Sequence, residues 1–281
     1  MAKKVVSVYG DISIKSPFNS DQLIIEISNY HIACIVKVAI QGELSALEVY
    51  NFNSYEEEWY DIFQDIRSKS KILNRGFIDT RVYFNLPETV LIPNNLYNES
   101  AATKYLQLVH GDIINQVVKS ESVEVTPAIT VSTKVKRGLI DAVNSNLMMI
   151  TMHNSYRAFI ESLLNPKRTY NHSLLKAQLY NDEILIGLVY NSQLLIVQLY
   201  EQHTPEDILY HLLNVLHQYS LKPEETTLEL SGDIELKTPL YENLRKVFPR
   251  ITFDTPSEDL IKLHDFTKYP KHYLTPFLNL T

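Results

Sequence analysis

Glycine is scarce in this sequence. Seven occur among 281 residues, where average usage of about 7% would give roughly twenty. None are adjacent, and no G-x-G-x-x-G or G-x-x-x-x-G-K run exists, which excludes the Walker and dinucleotide fingerprints. Cysteine is nearly absent too. Cys34 is alone, inside the apolar run IACIVKVAI. It can form no intrachain disulfide, and its setting predicts a buried core thiol. Basic charge is not in excess: Lys and Arg number 26 against 33 acids, for a net charge of −7. No run of basic residues exceeds two, so a nucleic-acid partner is not expected. No apolar stretch approaches the length of a membrane span, and MAKKVVSVYGDISIK lacks the apolar centre of a signal peptide. A cytoplasmic chain with no direct membrane insertion is the expectation. H-E-x-x-H, paired cysteines and G-x-S-x-G are all missing, so neither a metal nor a hydrolase triad is expected.

What is present is a pattern that occurs twice. Hydrophobic residues make up 45% of the chain, enough to build one large core or two ordinary ones. From Gln22, QLIIEIS, HIACIVKVAI and ALEVYNF read as three strands. The breaks fall at Ser28-Asn29-Tyr30 and Gln41-Gly42-Glu43. A helix is predicted next, with Ser54 and Glu57 as a capping box and Trp59, Ile62, Phe63 and Ile66 on one face. TRVYFNL (80–86) is a fourth strand. Asn98 then caps a helix over 99–109. From Leu174 the order returns. LLKAQLY, EILIGLVY and LLIVQLY are strands, with turns at 181–183 and 191–192. Thr204 caps a helix with Pro205 at its first position. TTLELSG is the strand after it, and Thr238 caps a helix over 239–248.

The first half carries an extension. AITVST reads as a strand, KVKRGLIDAV as a helix, LMMITM as a strand and SYRAFIESLL as a helix. NPKRTYNHS (165–173) is polar and reads as the link between halves. The expected organisation is therefore an N-terminal arm (1–20), a first lobe (21–165), a second lobe (166–254) and an irregular C-terminal arm (255–281). Three antiparallel strands, a crossover helix, a parallel strand and a closing helix make a ribonuclease-H-like unit. In duplicate they make an α/β actin-like ATPase fold, two mixed sheets with flanking helices. Two unrelated α+β domains are the alternative.

The order of QLIIEIS and its hairpin, RVYFNLPETVLIPNNLYNES, YLQLVHGD, LELSGDIELKTPLYENLRKVF and the closing KHYLTPFLNL resembles an uncharacterised bacterial family. That family is a domain of unknown function with a duplicated actin-like fold. The resemblance spans about residues 20–280. The wider relatives it suggests are similar to the pilus-assembly protein PilM and the cytoplasmic part of the secretion protein GspL, which are assembly platforms. It implies a protein partner here.

Such ATPases cradle phosphates with one hairpin turn per half, using an Asp, a Gly and a small hydroxyl or Lys. In this chain Glu26 stands near the expected acid, and the turn Ser28-Asn29-Tyr30 has no glycine. The second turn, at Asn181-Asp182, also lacks glycine and is acidic. Beside the adenosine position only Gly232 follows Ser231, and Asp233 comes next. Carboxylates within a few ångströms of a polyphosphate cost about 1 kcal/mol each or more at surface dielectric. Glu26, Asn29, Tyr30, Asn181, Asp182, Ser231, Gly232 and Asp233 are thus the candidate inter-lobe cleft. The reading is a non-catalytic scaffold or protein-binding module with a degenerate nucleotide site, without ATP or Mg²⁺. The alternative is an ATP-binding protein of the PilM/GspL type, at most a weak ATPase. A two-metal nuclease using Glu26, Glu88 and Asp233 is a third and lesser reading. Eighteen tyrosines, among them Tyr30, Tyr83, Tyr97, Tyr180, Tyr190, Tyr200 and Tyr241 near strand ends, suit either an interface or ordinary strands.

Overall fold

The computed structural model describes residues 1–10, 18–38, 44–55, 57–164, 173–256 and 268–281. The turn expected at 41–43 and the link at 165–172 lie outside them. The chain divides into two compact units. One comprises Met1–Arg157 and Leu280–Thr281; the other comprises Ala158–Pro256 and Tyr269–Asn279.

In the first unit the strands are β1 (Lys3–Tyr9), β2 (Phe18–Ile27), β3 (His31–Lys37), β4 (Leu44–Asn51), β5 (Gly76–Phe84), β6 (Thr89–Pro93), β7 (Gln116–Val123), β8 (Ile129–Lys136) and β9 (Ile150–Asn154). Six form a mixed sheet in the order β1-β4-β3-β2-β5-β9. Its last two pairings, β2 with β5 and β5 with β9, are parallel. The helices are α1 (Trp59–Lys69), α2 (Glu99–His110) and α3 (Arg137–Asn146). Trp59, Ile62, Phe63 and Ile66 of α1 and Leu139, Ala142 and Val143 of α3 bury against Leu23, Ile25, Ile27, Ile32, Cys34 and Val36. The Cys34 thiol is fully buried, and desolvation pushes its pKa well up, with the Glu48 charge adding to the rise. It is core, as the apolar run suggests.

Helix α4 (Ser155–Leu163) follows β9. The second unit has β10 (Ser173–Leu179), β11 (Glu183–Tyr190), β12 (Gln193–Glu201), α5 (Pro205–Gln218), β13 (Thr226–Gly232), α6 (Pro239–Val247), β14 (Arg250–Phe253) and α7 (Thr275–Leu278). Its sheet runs β12-β11-β10-β13-β14, with β10–β13 and β13–β14 parallel. This repeats the order β4-β3-β2-β5-β9 of the first unit. One face packs Leu175, Ala177, Leu179, Ile184, Ile186 and Leu188 under Ile208, Leu212, Val215 and Leu216 of α5, with Leu244 and Phe248. On the other face α4 passes so close to Gly187 that a Cβ there would lie 2.6 Å from Phe159 and 2.8 Å from Leu163.

Several expectations need correction. Residues 3–9, read as part of an arm, are a sheet strand paired to β4. The first unit holds an additional three-stranded sheet, β6-β8-β7. Its β7 is polar (QVVKSESV) and its β6 ends in proline, so neither carries a clear alternation. Lys134-Val135-Lys136, read as helix, belongs to β8. Val135 is buried there, while Lys134 Nζ donates to the carbonyls of His110 and Asp112 at 3.0 and 3.3 Å, at the C-terminal end of α2. Ser54 and Glu57 form no capping box: α1 starts at Trp59, with Glu58 as its cap residue and no side-chain cap. Ser54 instead donates to Asn29 Oδ1, and Glu57 pairs with the N-terminal amine. No helix among the described residues is long and apolar enough to cross a membrane, a statement that does not bear on β-barrels.

Candidate functional site

The two hairpin turns occupy equivalent places. At the end of the β2–β5 pairing Ile27 faces Phe84, and Asn85 N–H donates to the Ile27 carbonyl at 2.9 Å. At the end of β10–β13 Leu179 faces Gly232, and Asp233 N–H donates to the Leu179 carbonyl at 2.8 Å. Each turn starts immediately beyond.

In the first turn Ser28 Oγ accepts from the backbone N–H of both Tyr30 and His31, each at 3.0 Å. Ser28 N–H closes the turn on the His31 carbonyl at 2.9 Å. Ser28 Oγ lies 2.8 Å from His31 Nδ1, and His31 Nε2 lies 3.1 Å from Glu26 Oε2. With the neutral ring protonated at Nε2, the serine donates to Nδ1 and the ring donates to the carboxylate, a consistent assignment. Ser28, Asn29, Tyr30, His31 and Glu26 are all buried. The turn's carbonyls are also taken: Phe52 N–H and Ser54 N–H bind those of Tyr30 and Asn29, both at 2.9 Å. Asn29 Nδ2 reaches the Tyr55 hydroxyl at 3.0 Å, and the Tyr30 and Tyr55 rings meet edge to face. A phosphate cradle needs free backbone N–H groups. Here a serine hydroxyl already occupies two of them. Although Ser28, His31 and Glu26 lie in a row, burial of the hydroxyl under two backbone donors makes the row a turn lock.

The second turn is built from outside. Tyr180 N–H donates to the Glu183 carbonyl at 2.8 Å. Gln202 donates from its backbone to the Asp182 carbonyl at 3.0 Å and from its side chain to the Tyr180 carbonyl at 3.1 Å. Asn181 is exposed, and its amide binds the Asp182 carboxylate. A carboxylate therefore stands on the open side of this turn.

Gly232 has φ +86°, and a Cβ on it would sit 2.0 Å from the Leu179 carbonyl oxygen. Backbone packing between neighbouring parallel strands requires this glycine. Among the described residues Ser231 Oγ is buried with no hydrogen-bond partner, and its register partner Gln178 has Nε2 in the same condition. The Asp233 carboxyl is raised above its ordinary pKa by desolvation and then by Glu235. Tyr273 is pushed up to about 12, by burial first and by the Asp233 charge second. Anionic charge is thus already crowded at this strand end. The structure groups Glu26, Asn29 and Tyr30 in the first unit, and Asn181, Asp182, Ser231, Gly232 and Asp233 in the second. Of the named tyrosines, Tyr30, Tyr83 and Tyr180 are buried and Tyr190 is exposed.

Residues 15–251 match the family described as protein of unknown function (DUF3822). The chain belongs to this family. No curated protein sequence matches it. A Bacteroides thetaiotaomicron VPI-5482 protein, described as having an actin-like ATPase fold and unknown function, is 17% identical. It superposes with a TM-score of 0.75 over 92% of this chain and 96% of that one. The PilM–PilN type IV pilus biogenesis complex is similar at 13% identity and TM-score 0.59, over 92% of this chain and 97% of that one. The DUF3822 chain therefore has the actin-like ATPase fold, as the duplicated strand order implies.

Sequence reasoning missed three things in this DUF3822 chain. It passed over the serine as a turn lock, although serine followed by two residues and a histidine is a visible local signal. It missed the Gln202 clamp, because Gln202 meets the turn only in three dimensions. It also missed a pocket of about 260 Å³ in the first unit, lined by Phe84, Lys119, Ser120, Thr133 and Met152 and by the hub residues Glu121, His153 and Asn154. Glu121 binds His153 Nδ1 at 2.9 Å, Arg157 at 2.8 Å and Asn154 N–H at 2.9 Å. Burial works to raise its pKa, yet these partners hold it below the ordinary carboxylate value. A carboxylate so saturated orients its neighbours and makes a poor general base.

Proposed function

We propose that this protein is a non-catalytic scaffold of the actin-like fold, one that binds a protein partner in the cytoplasm and has given up its nucleotide site. One observation carries the reading. Ser28 Oγ accepts from the backbone N–H of Tyr30 and His31, donors that a phosphate would need. The acidic second turn and the packing role of Gly232 support it. The shared fold with PilM, seen in complex with PilN, supports a protein as the ligand.

A thermal-shift titration with Mg·ATP, Mg·ADP and Mg·GTP tests the proposal. A ligand at a hundred times its Kd adds about 2.7 kcal/mol of stability, a shift of a few degrees for a chain of this size. The expected result is no saturable shift at millimolar nucleotide. A saturable shift would make the protein an ATP-binding switch. The partner is tested by crosslinking in the native cell, where Asp182→Lys and Asp233→Lys should lose an adduct that the natural chain forms.

A further inference from the structure

We propose that the first unit holds a small-oxyanion site at the N-terminal end of β5, built on Arg75 and Arg67. This is the opposite end of that strand from the hairpin turn, about 25 Å away at the usual rise per residue. The site goes beyond the scaffold reading and does not depend on it.

A pocket of about 140 Å³ opens there. Arg67, Asn74, Arg75, Asn146 and Thr80 supply its polar wall, over a floor of leucines, Phe77 and Met148. Among the described residues no carboxylate lines it, in a chain whose acids outnumber its bases by 33 to 26. Arg75 Nη1 is buried and has no hydrogen-bond partner among the described residues. Neither Arg67 nor Arg75 has a side-chain carboxylate partner among the described residues. Burying a cationic donor unpaired is among the costlier arrangements a protein can adopt, and native structures rarely keep one without a function or a bound ion or water.

Position argues the same way. Arg75 follows the turn after α1, and its guanidinium lies 5.6 Å above the Phe77 ring. The ring holds the planar fork on the pocket wall. Asn74 Nδ2 is spent on the carbonyls of Arg67 and Ser70 at 3.2 and 2.8 Å, and Asn146 Nδ2 on that of Ala142 at 2.9 Å. The two amides thus serve the carbonyls at the ends of α1 and α3, work that arginines at a helix C-terminus often do. That leaves the guanidinium groups for a ligand. Two forks facing an acid-free pocket match a phosphoryl group or a carboxylate, which accept paired N–H donors.

The test is titration of the full chain with inorganic phosphate and, separately, with acetate. Chloride at matched ionic strength is the reference, and thermal shift and calorimetry are the readouts. The natural chain should saturate with one of the two anions. Arg67→Gln changes an exposed side chain and should weaken that binding roughly tenfold or more, the usual range for a lost charge-assisted hydrogen bond. Arg75→Gln should abolish it without lowering stability in chloride, because it removes a half-buried cation whose buried Nη1 has no partner among the described residues. Tighter binding of phosphate assigns a phosphoryl ligand, and tighter binding of acetate a carboxylate. A response no larger than in chloride, or saturation unchanged in Arg67→Gln, overturns the proposal. So does an Arg75→Gln variant that loses stability equally with and without the anion, which would make Arg75 structural.

Discussion

The two hairpin turns share one backbone plan and are held in opposite ways. In the first unit the lock is internal: Ser28, His31 and Glu26 form a buried row that consumes backbone donors. In the second the clamp is external: Gln202, beyond the third strand, gathers the carbonyls of the turn. The same contrast runs through the sheets. The first unit buries an acid, Glu48, among donors from Lys4, Tyr9, Tyr50 and Ser70 and from Lys71 N–H. The second buries a base, Lys176, against Asp254 at 2.5 Å, Glu229 at 3.4 Å and Ser162 at 2.9 Å. A duplicated fold constrains strand order and register. It leaves each copy free to solve its polar problems separately.

The largest break in this comparison is expected at Lys176. Its side chain is fully buried. Lys176→Ala removes the cation and leaves two acids in the same interior, a change that costs about 3–5 kcal/mol. Denaturant unfolding would check it, and a loss below 1 kcal/mol would mean that water reaches the acids. Gly232→Ala comes next. Its Cβ would collide with the Leu179 carbonyl at a positive φ, and the expected loss is about 2–3 kcal/mol. At the equivalent place in the first unit stands Phe84, an ordinary residue of β5. A tolerated alanine would show that the two strand ends are more alike than they look.

Glu48 sharpens the contrast through pH. Burial raises its pKa, but hydrogen bonds from Ser70, Tyr9, Lys4 and Lys71 N–H outweigh that and hold it below the ordinary carboxylate value. A folded-state pKa lowered in this way contributes stability above the unfolded value. That stability is lost as pH falls through the folded pKa. Acid unfolding of the natural chain should therefore steepen below about pH 4, the ordinary carboxylate range. Glu48→Gln should be less stable at neutral pH and show a flatter acid limb. An unchanged limb would assign the acid sensitivity to other carboxylates.

The fold was legible because apolar periodicity and turn residues agree along most of the chain. LLKAQLY and EILIGLVY are buried strands and LLIVQLY a half-buried one; all three sit between clear breaks and correspond to β10–β12. The third sheet was not legible. β7 is polar, and its partner β8 runs on through Lys134-Val135-Lys136 into what looks like helix. Pairing with β7, burial of Val135 and the contact of Lys134 with the end of α2 keep those residues extended. At the candidate site the missing glycines were readable, and so was the acid at Asp182. The reason the first turn needs no glycine was not. It rests on a side chain folding back onto its own backbone, and a register of strands is needed to see which donors that takes away.

The smallest expected effect tests that lesson at the two crossover helices. Both carry a capping-box pattern in sequence. In the second unit the box forms: Thr204 Oγ1 accepts from Asp207 N–H at 3.2 Å, and Asp207 Oδ2 accepts from Thr204 N–H at 2.9 Å. The His203 N–H, which also donates to Asp207 Oδ2, holds the Asp207 carboxyl below its ordinary pKa, and the bonds with Thr204 add to this. In the first unit Ser54 turns to Asn29 instead, and α1 begins five residues later. Thr204→Ala should cost about 1 kcal/mol. For Glu57→Ala the change should stay within about 0.5 kcal/mol, as for other surface substitutions. Equal losses in the two variants would mean that the first box does form in solution. The Ser54–Asn29 contact would then be secondary, and the internal lock of the first turn would lose one of its supports.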